Sequence, residues 1–423
     1  MQVISYPDKK DWHTLLKRPS QDFTSVKNAV QNILDDVRQR GDEALKTYTK
    51  QFDKIELDSL IVTEEEWQTA TAITDDLKIA IQLAVKNVRS FHEAQKEPVQ
   101  KIETMPGVVC WRKSVAIEKV GLYIPGGTAP LFSTLIMLAV PATIAGCKEI
   151  IVCTPPQKNG LVHPAVLYAA KQTGINKIYK IGGAQAVAAM AYGTGSIDKV
   201  YKIFGPGNQY ITCAKMLVNA EGVAIDMPAG PSEVAVLADD TANPDFIAAD
   251  LLSQAEHGKD SQVVLVANNE DVIAKTIKAL DEQLNALPRK DIAVEALQHS
   301  KAILVKDLNE AIELMNEYAP EHLIINCNDA EFIAEQITNA GSVFLGNYSP
   351  ESVGDYASGT NHTLPTNGFA KTYSGVSLDS FFKKITFQQL TKRGLQNIGK
   401  AVTILADAEG LQAHANAVSI RLA

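Results

Sequence analysis

The sequence predicts an α/β fold with two doubly wound parallel-sheet domains and small helical elements at both termini. From Val120 onward, short β-rich runs alternate with helical segments, and this alternation occurs in two successive series. The chain has 423 residues, which is more than one hydrophobic core usually holds. Two or three domains are therefore expected.

The first hundred residues have a helical pattern. Apolar residues recur at helical spacing from Val26 to Val37, within a predicted helix over 24–40 that ends at Gly41. A second helical pattern covers 64–91. A helical element is therefore expected ahead of the first strand series.

Each strand series continues through five β-rich runs. The first contains GLYIP, EIIVCTP, KIYKIGG, VYKIFGPG and VAIDMPAGP. The second contains SEVAVLAD, QVVLVANN, KAILVKDL, HLIINCND and GSVFLGN. Repeated strand–helix units form parallel sheets that helices cover on both faces. A polar loop follows residue 347, and residues 381–423 are predicted to be helical again.

Composition and charge exclude several classes of protein. The net charge is −9 and there is no basic tract, so nucleic acids and anionic membranes are poor partners. The uncharged stretch 121–147 has a helix candidate only over 131–140, half of the about 20 residues that a bilayer span needs. The start of the chain has no apolar signal segment, so a cytoplasmic protein is expected. The five cysteines include no C-x-x-C pair, which favours buried free thiols.

Three glycine-rich turns follow strands of the first series. They are YIPGGTAP, IGGAQAVAA and FGPGNQY, and none is a G-x-G-x-x-G motif. Glycines at such turns let backbone N–H groups approach a phosphate at a helix N-terminus. Three of them in one domain indicate a ligand crevice at the carboxyl ends of the strands.

Histidine and carboxylate residues offer a cysteine-free metal site. Gln254 and His257 are three residues apart on a predicted helix, so their side chains share one face. Asp355 lies in the polar loop and His414 lies in the last helix. Zinc accepts such nitrogen and oxygen donors. Each pair by itself also fits a surface or capping role, and the sequence cannot show that the four residues meet.

Glu321 and His322 are adjacent between a helix and a strand, directly after Pro320. A neighbouring carboxyl and imidazole can supply two different proton-transfer groups. The alternative is a loop pair that faces solvent.

Several segments together resemble the histidinol dehydrogenase family, over nearly the whole chain up to His414. The most specific are VGLYIPGGTAPLFST, IGGAQAVAAMAYGTGS, FGPGNQYITCAK, DMPAGPSEV, DLLSQAEHG, APEHL, GDYASGTNHTLPT and EGLQAHA. The resemblance implies oxidation of L-histidinol through L-histidinaldehyde to L-histidine with two NAD+. It also implies one zinc ion per subunit and a homodimer.

The resemblance assigns roles to individual residues. The zinc ligands would be Gln254, His257, Asp355 and His414, the last from the other subunit, and Tyr123, Gln185 and Asn208 would contact NAD. Ser232 and Glu409 would hold the substrate, together with His322 and the metal ligands. His322 would take the hydroxyl proton, and Glu321 would activate the water that attacks the aldehyde.

The resemblance also suggests how the chain divides into incomplete Rossmann-like domains. Residues 1–20 would form an N-terminal arm, and 21–119 with 232–376 would form a discontinuous domain that carries the zinc and the catalytic residues. Residues 120–231 would be an inserted NAD-binding domain. Residues 377–423 would be a helical dimerisation element.

Three other functions remain open at this point. A thiolate mechanism through Cys110 or Cys147 would form a thiohemiacetal. Two α/β lobes could instead form a small-molecule binding protein. A relative that acts on another amino alcohol, such as a sulfonated one, is the third.

Overall fold

Strands and helices alternate along most of the chain in this computed structural model, which describes residues 1–19, 23–126 and 130–423. The strands are β1 (Gln2–Ser5), β2 (Lys101–Met105), β3 (Val108–Ala116), β4 (Lys119–Tyr123), β5 (Glu149–Thr154), β6 (Ile178–Lys180), β7 (Lys202–Phe204), β8 (Ala224–Ile225), β9 (Glu233–Ala238), β10 (Gln262–Ala267), β11 (Lys301–Leu304), β12 (His322–Asn326), β13 (Ser342–Leu345) and β14 (Phe382–Leu390).

α-Helices cover both faces of the two parallel sheets, and two further helices follow β14. They are α1 (Trp12–Leu15), α2 (Phe23–Arg40), α3 (Asp42–Tyr48), α4 (Glu64–Gln68), α5 (Asp75–Glu93), α6 (Phe132–Ala145), α7 (Pro164–Thr173), α8 (Gly183–Tyr192), α9 (Gln209–Ala220), α10 (Pro244–Ala255), α11 (Glu270–Leu284), α12 (Lys290–Gln298), α13 (Leu308–Tyr318), α14 (Ala330–Ala334), α15 (Glu351–Tyr356), α16 (Lys392–Ala408) and α17 (Gln412–Leu422).

Two parallel sheets confirm the predicted fold class. The larger has six strands in the order β1-β11-β10-β9-β12-β13, and the smaller has five in the order β6-β5-β4-β7-β8. In each strand series the chain starts at a central strand, β9 or β4, builds outward on one side, and then returns to the other side. This order makes both sheets doubly wound, and each has a switch point beside its first strand.

A third, antiparallel sheet was not predicted. Its order is β14-β3-β2, and β14 pairs with β3 from Phe382↔Ala116 to Leu390↔Val108. The prediction that the tail is helical throughout is therefore wrong for Phe382–Leu390, because its backbone hydrogen bonds go to a strand far away in sequence. The N-terminal element is likewise not purely helical, since β1 adds a parallel edge strand beside β11.

Helices α2 to α5 pack on the five-stranded sheet, whereas α1 packs on the six-stranded sheet. Side chains of α2 share a buried cluster with Ile151 and Ile203, and those of α5 share another with Leu122 and Leu135. This packing groups them with residues 120–231, whereas the predicted division groups 21–119 with 232–376. The division into domains stays a prediction, and its boundary at residues 20 and 21 lies outside the described residues.

Helix α6 is the apolar segment that the sequence singled out. It extends to Ala145, beyond the predicted end at Val140, and contains Pro141 in its interior. It has 14 residues. Among the helices that the structure describes, none combines the length and the apolar character that crossing a membrane requires.

Candidate active site

A cavity of about 660 Å³ lies where the two parallel sheets face each other. On one side are the loops that follow β4 and β7, at the switch point of the five-stranded sheet. On the other side are residues at the amino ends of β9 and β12, in the six-stranded sheet. Ser232, Gln254, His257, Glu321, His322 and Asp355 line this cavity, so the fold gathers most of the predicted site residues. The volume suits a small-molecule site.

The loop after β7 forms the side of the cavity where the sequence predicts that the nucleotide binds. Gly205 has φ +127°, and a Cβ atom there would lie 2.1 Å from the carbonyl oxygen of Tyr123. Only glycine therefore lets this loop approach β4 so closely. Asn208 then begins α9, and its side chain accepts hydrogen bonds from the backbone of Tyr210 and Ile211 at 3.0 and 3.3 Å. Glycines, an N-cap and a switch point together are typical of a dinucleotide crevice.

The other two predicted NAD residues are buried beside this crevice and do not line the cavity. The hydroxyl of Tyr123 accepts a hydrogen bond from the backbone N–H of Gly183 at 3.3 Å. In the part of the chain that the structure describes, neither polar atom of the Gln185 amide has a hydrogen-bond partner. Burying an amide without hydrogen-bond partners costs free energy of folding. A bound ligand that forms hydrogen bonds with the Gln185 amide would remove this cost. Residues 127–129 of the YIPGGTAP motif lie outside the described residues.

One residue of the neighbouring strand holds both Glu321 and His322. The backbone N–H of Glu233 donates to Glu321 Oε2 at 2.8 Å, and its carbonyl oxygen accepts from His322 Nδ1 at 3.1 Å. The parallel register, with His322 opposite Val234, makes this possible. Because a carbonyl can only accept, Nδ1 carries a hydrogen and the neutral ring keeps its lone pair on Nε2.

Both residues of the Glu321–His322 pair are buried, at 6% and 3% exposure, which excludes the solvent-facing alternative. Burial raises the pKa of the Glu321 carboxyl above its usual range. Burial disfavours the charged imidazole of His322, but the carboxylates of Glu321, Asp355 and Glu351 outweigh this cost and raise its pKa. Perturbed groups in a cavity are typical of a functional site.

Helix α15 contributes two carboxylates from one face. Glu351 and Asp355 are four residues apart, so both point toward the cavity wall. In the amide orientation that satisfies both of its polar atoms, Gln254 donates to Glu351 Oε1 at 2.9 Å and accepts from the backbone N–H of Glu233 at 3.0 Å. Ser253 also donates to Glu351 Oε1, at 2.9 Å. Sequence reasoning missed Glu351, although its spacing from Asp355 was a usable signal.

His257 does not lie on a helix as predicted, because α10 ends at Ala255. It stands in the following turn, where its N–H donates to the carbonyl of Gln254. Solvent reaches its ring through the cavity, yet the surrounding walls displace enough water to lower the pKa of His257, against the opposing effect of Asp355. The turn keeps His257 and Gln254 on the same wall.

The donor set on this wall fits a divalent cation. Asp355 Oδ1 and His322 Nε2 are buried and lie 3.3 Å apart, but neither has a hydrogen-bond partner among the described residues. The Gln254 amide and the His257 ring add an oxygen and a nitrogen donor, a set that zinc accepts. Within residues 1–19, 23–126 and 130–423, no group of three or more His, Cys, Asp and Glu side chains is arranged to hold a metal.

Two predicted site residues are not brought to the cavity of their own chain. Glu409 follows α16 and His414 lies on α17; both are exposed, and neither lines the cavity. Their helices pack against each other and extend from the antiparallel sheet.

His362 has a structural role. Its Nδ1 donates to the carbonyl oxygen of Asp355 at 2.8 Å, and its Nε2 lies 3.2 Å from the Thr134 hydroxyl. Burial lowers the pKa of His362, so the ring is neutral and can accept from Thr134. The residue therefore ties the loop after α15 to α6.

The fold and the cavity define a class of protein: an α/β protein with two parallel sheets, a cavity between them and a buried carboxyl–imidazole pair. The chain belongs to the histidinol dehydrogenase family, because the model of that family, described as histidinol dehydrogenase, matches residues 16–422. The resemblance stated from the sequence is thereby confirmed.

Individual relatives agree with this family over the whole chain. The chain is 59% identical to a histidinol dehydrogenase of Bacteroides thetaiotaomicron over 423 residues, which cover 100% of this chain and 99% of that protein. It is 54% identical to a chloroplastic histidinol dehydrogenase of Arabidopsis thaliana, over 97% of this chain and 88% of that one. The crystal structure of histidinol dehydrogenase from Elizabethkingia anophelis superposes with a TM-score of 0.98 at 54% identity, covering 100% of this chain and 98% of that one.

Proposed function

We propose that this chain oxidises L-histidinol through L-histidinaldehyde to L-histidine with two NAD+. The observation that carries the proposal is the buried Glu321–His322 pair, which one residue, Glu233, holds at the wall of the cavity. The balanced reaction consumes one alcohol, two NAD+ and one water, and yields one carboxylate, two NADH and three protons. One of these protons leaves the alcohol, one leaves the attacking water and one is released when the acid ionises, so the first two call for proton acceptors with different tasks.

In the first half-reaction, His322 Nε2 accepts the hydroxyl proton while a hydride leaves the carbinol carbon for NAD+. Its Nδ1–H bond to the Glu233 carbonyl fixes the ring and the tautomer that this requires. Part of the raised pKa of His322 comes from Asp355. A cation bound to that carboxylate would lower the pKa and leave Nε2 ready to accept a proton.

In the second half-reaction, Glu321 takes a proton from water as the water adds to the aldehyde. The resulting hydrate anion loses a second hydride to NAD+ and becomes the carboxylic acid, which releases the third proton to give the carboxylate. The carboxyl is suited to this role because it is buried and its Oε2 is held by a backbone N–H. A positioned proton acceptor of this kind contributes roughly 10²–10⁴ in rate.

Zinc would be held by Gln254, His257 and Asp355 of one chain and by His414 of a second copy. Bound there, it would supply a template that grips the imidazole and amine nitrogens of histidinol and orients the carbinol carbon. Ser232 lines the same cavity and would contact the substrate, as would Glu409 of the second copy. Tyr123, Gln185 and Asn208 would bind NAD at the crevice beside β4 and β7.

The homodimer that this arrangement needs is supported by exposed apolar side chains around the C-terminal elements. They are Ile385, Phe387 and Leu390 on β14, Ile404 and Leu405 on α16, and Ile420 on α17. Exposed apolar side chains on neighbouring elements can be covered by a protein partner. The cytoplasmic location expected from the sequence stays a prediction.

The proposal is tested by following NADH at 340 nm with limiting L-histidinol, together with identification of the product. We expect two NADH and one L-histidine per histidinol. If the enzyme oxidises another amino alcohol, such as a sulfonated one, but not histidinol, the proposed substrate is wrong. The assignment to the family would not change. Binding of histidinol without any NADH would favour the small-molecule binding protein instead.

The thiolate alternative has little support in the structure. Burial raises the pKa of Cys147 to about 12, so this thiol is not activated. Cys110 lies in the antiparallel sheet rather than at the cavity between the parallel sheets. Full activity of the Cys110→Ala and Cys147→Ala variants is the expected result.

A further inference from the structure

Arg18, which precedes α2, forms a two-point ion pair with Glu233 at the start of β9. Arg18 Nε lies 2.5 Å from Glu233 Oε1, and Nη2 lies 2.8 Å from Oε2. The two side chains are 14% and 2% exposed. The backbone N–H of Asn367 donates to the same Oε1 at 2.7 Å, so the Glu233 carboxylate is held from two directions.

The same guanidinium also reaches the chain segment that leads into Glu321. Arg18 Nη2 donates to the carbonyl oxygens of Tyr318 and Ala319, at 2.7 and 3.3 Å. Its guanidinium carbon lies 4.1 Å from the centre of the Tyr318 ring. Ala319 is in the left-handed conformation, φ 52°, at the turn between α13 and β12. One side chain thus joins the start of β9 to the turn before β12.

A second connection returns from this turn to the arm. The Tyr318 hydroxyl donates to Gln262 Oε1 at 2.9 Å, and Gln262 Nε2 donates to the carbonyl oxygen of Lys17 at 3.3 Å. The residue before Arg18 is therefore also fixed to the six-stranded sheet. Glu233 is the residue whose backbone contacts Glu321 and His322. Its side chain and its backbone belong to one continuous network.

We propose that Arg18 and Glu233 form a positioning pair that holds Glu321 and His322 in their reactive geometry. The pair fixes the distance between the start of β9 and the start of β12. Glu233 lies at the start of β9, and Glu321 and His322 lie at the start of β12. This inference rests on the proposed function of Glu321 and His322. Neither Arg18 nor Glu233 touches the substrate in this account, so both act through the pair that they position.

The expected kinetic signature is a loss in kcat with little change in KM. Substrate binding depends on other groups of the cavity wall, whereas proton transfer depends on the placement of His322 Nε2 and Glu321 Oε2. A displacement of about 1 Å can lower the rate on the order of a hundredfold. Both half-reactions should suffer, because one residue, Glu233, contacts both acceptors.

The experiment compares Arg18→Met, Arg18→Lys, Glu233→Gln and the Arg18→Met/Glu233→Gln double variant in the metal-loaded enzyme. We expect kcat to fall on the order of ten- to a hundredfold, with KM for histidinol and for histidinaldehyde changed less than about threefold. Arg18→Lys should recover part of kcat, because it keeps the charge and one donor. The double variant should be no slower than the slower single variant, as expected for one functional unit.

The matched control is Lys9→Met, which removes another ion pair of the same arm, with Glu313 on the surface. It should keep wild-type kcat. Thermal unfolding and zinc content are measured for every variant, and if Arg18→Met does not fold, Arg18→Lys and Glu233→Gln carry the test. Wild-type kcat in a folded variant of Arg18 or Glu233, or a loss confined to KM, would overturn the inference. A wild-type enzyme that makes no NADH from histidinol would overturn the proposed function instead.

Discussion

The side-chain amide of Asn361 donates to the carbonyl oxygen of Met137 at 2.7 Å. Met137 is four residues before Pro141 in α6, and proline has no N–H to give to that carbonyl. Asn361 therefore replaces the missing helical hydrogen bond. The same residue precedes His362, so the defect in the helix anchors the loop that carries His362 beside Asp355.

Substitution of Asn361 by Leu should lower the free energy of unfolding by about 1–3 kcal/mol, because the Met137 carbonyl is left buried without a donor. In a Pro141→Ala background the helix can supply an N–H, so the same substitution should cost less there. Chemical denaturation of the four proteins measures both differences. An equal loss of unfolding free energy in both backgrounds would show that the unpaired Met137 carbonyl does not cause the loss.

Asp250 makes the stability depend on pH. It is 7% exposed on α10, and burial raises its pKa from 3.8 to about 7. Between about pH 4 and pH 7, the folded state therefore keeps a proton on Asp250 that the unfolded state has released. In that window the unfolded state binds fewer protons, so the contribution of Asp250 to stability is present below pH 4 and is lost as the pH rises to 7.

Asp250→Asn should accordingly match the wild type near pH 4 and be more stable at pH 8. About 1.4 kcal/mol per pKa unit gives an upper value of about 4 kcal/mol. Denaturation curves at the two pH values measure the effect, with the exposed Asp281→Asn as control. A variant that is no more stable than the wild type at pH 8 would refute the assignment.

Glu321→Gln should impair aldehyde oxidation more than alcohol oxidation, because only the second half-reaction adds water. The amide keeps the size of the side chain and can still accept from the Glu233 N–H, so the fold should be preserved. The rate of each half-reaction should be measured separately, starting from histidinol and from histidinaldehyde. His322→Asn is the matched variant, and it should slow alcohol oxidation by roughly 10²–10⁴. Equal losses in both half-reactions of Glu321→Gln would contradict the division of roles.

His414→Asn should lower the zinc content of the purified protein, because a site with three ligands from one chain would lose its fourth. Elemental analysis measures this directly, and His299→Asn, another exposed histidine, is the control. Stoichiometric zinc in the His414 variant would remove this residue from the ligand set.

Mixing tests whether His414 acts across two chains. Glu321→Gln and His414→Asn homodimers, each impaired alone, should regain activity when their subunits are exchanged, since one site of the hybrid then contains both native residues. If mass measurements show that the subunits have exchanged but activity is not restored, His414 does not act on the partner's site.

The sequence by itself determined the two strand series, the turns after β4 and β7, and the Glu321–His322 pair. These features depend on neighbours a few residues apart: apolar periodicity defines a strand or helix, and Glu321 and His322 are adjacent in the sequence. The spacing of Glu351 and Asp355 carried the same kind of local information.

Tertiary structure alone decided the rest. Pairing of β14 with β3 joins residues that are more than two hundred positions apart, as does the ion pair between Arg18 and Glu233. No local pattern encodes such contacts, because they depend on strand order and register in the completed sheets. The same reason explains why Gln254 meets Glu351 within one chain while Glu409 and His414 stay away from its cavity.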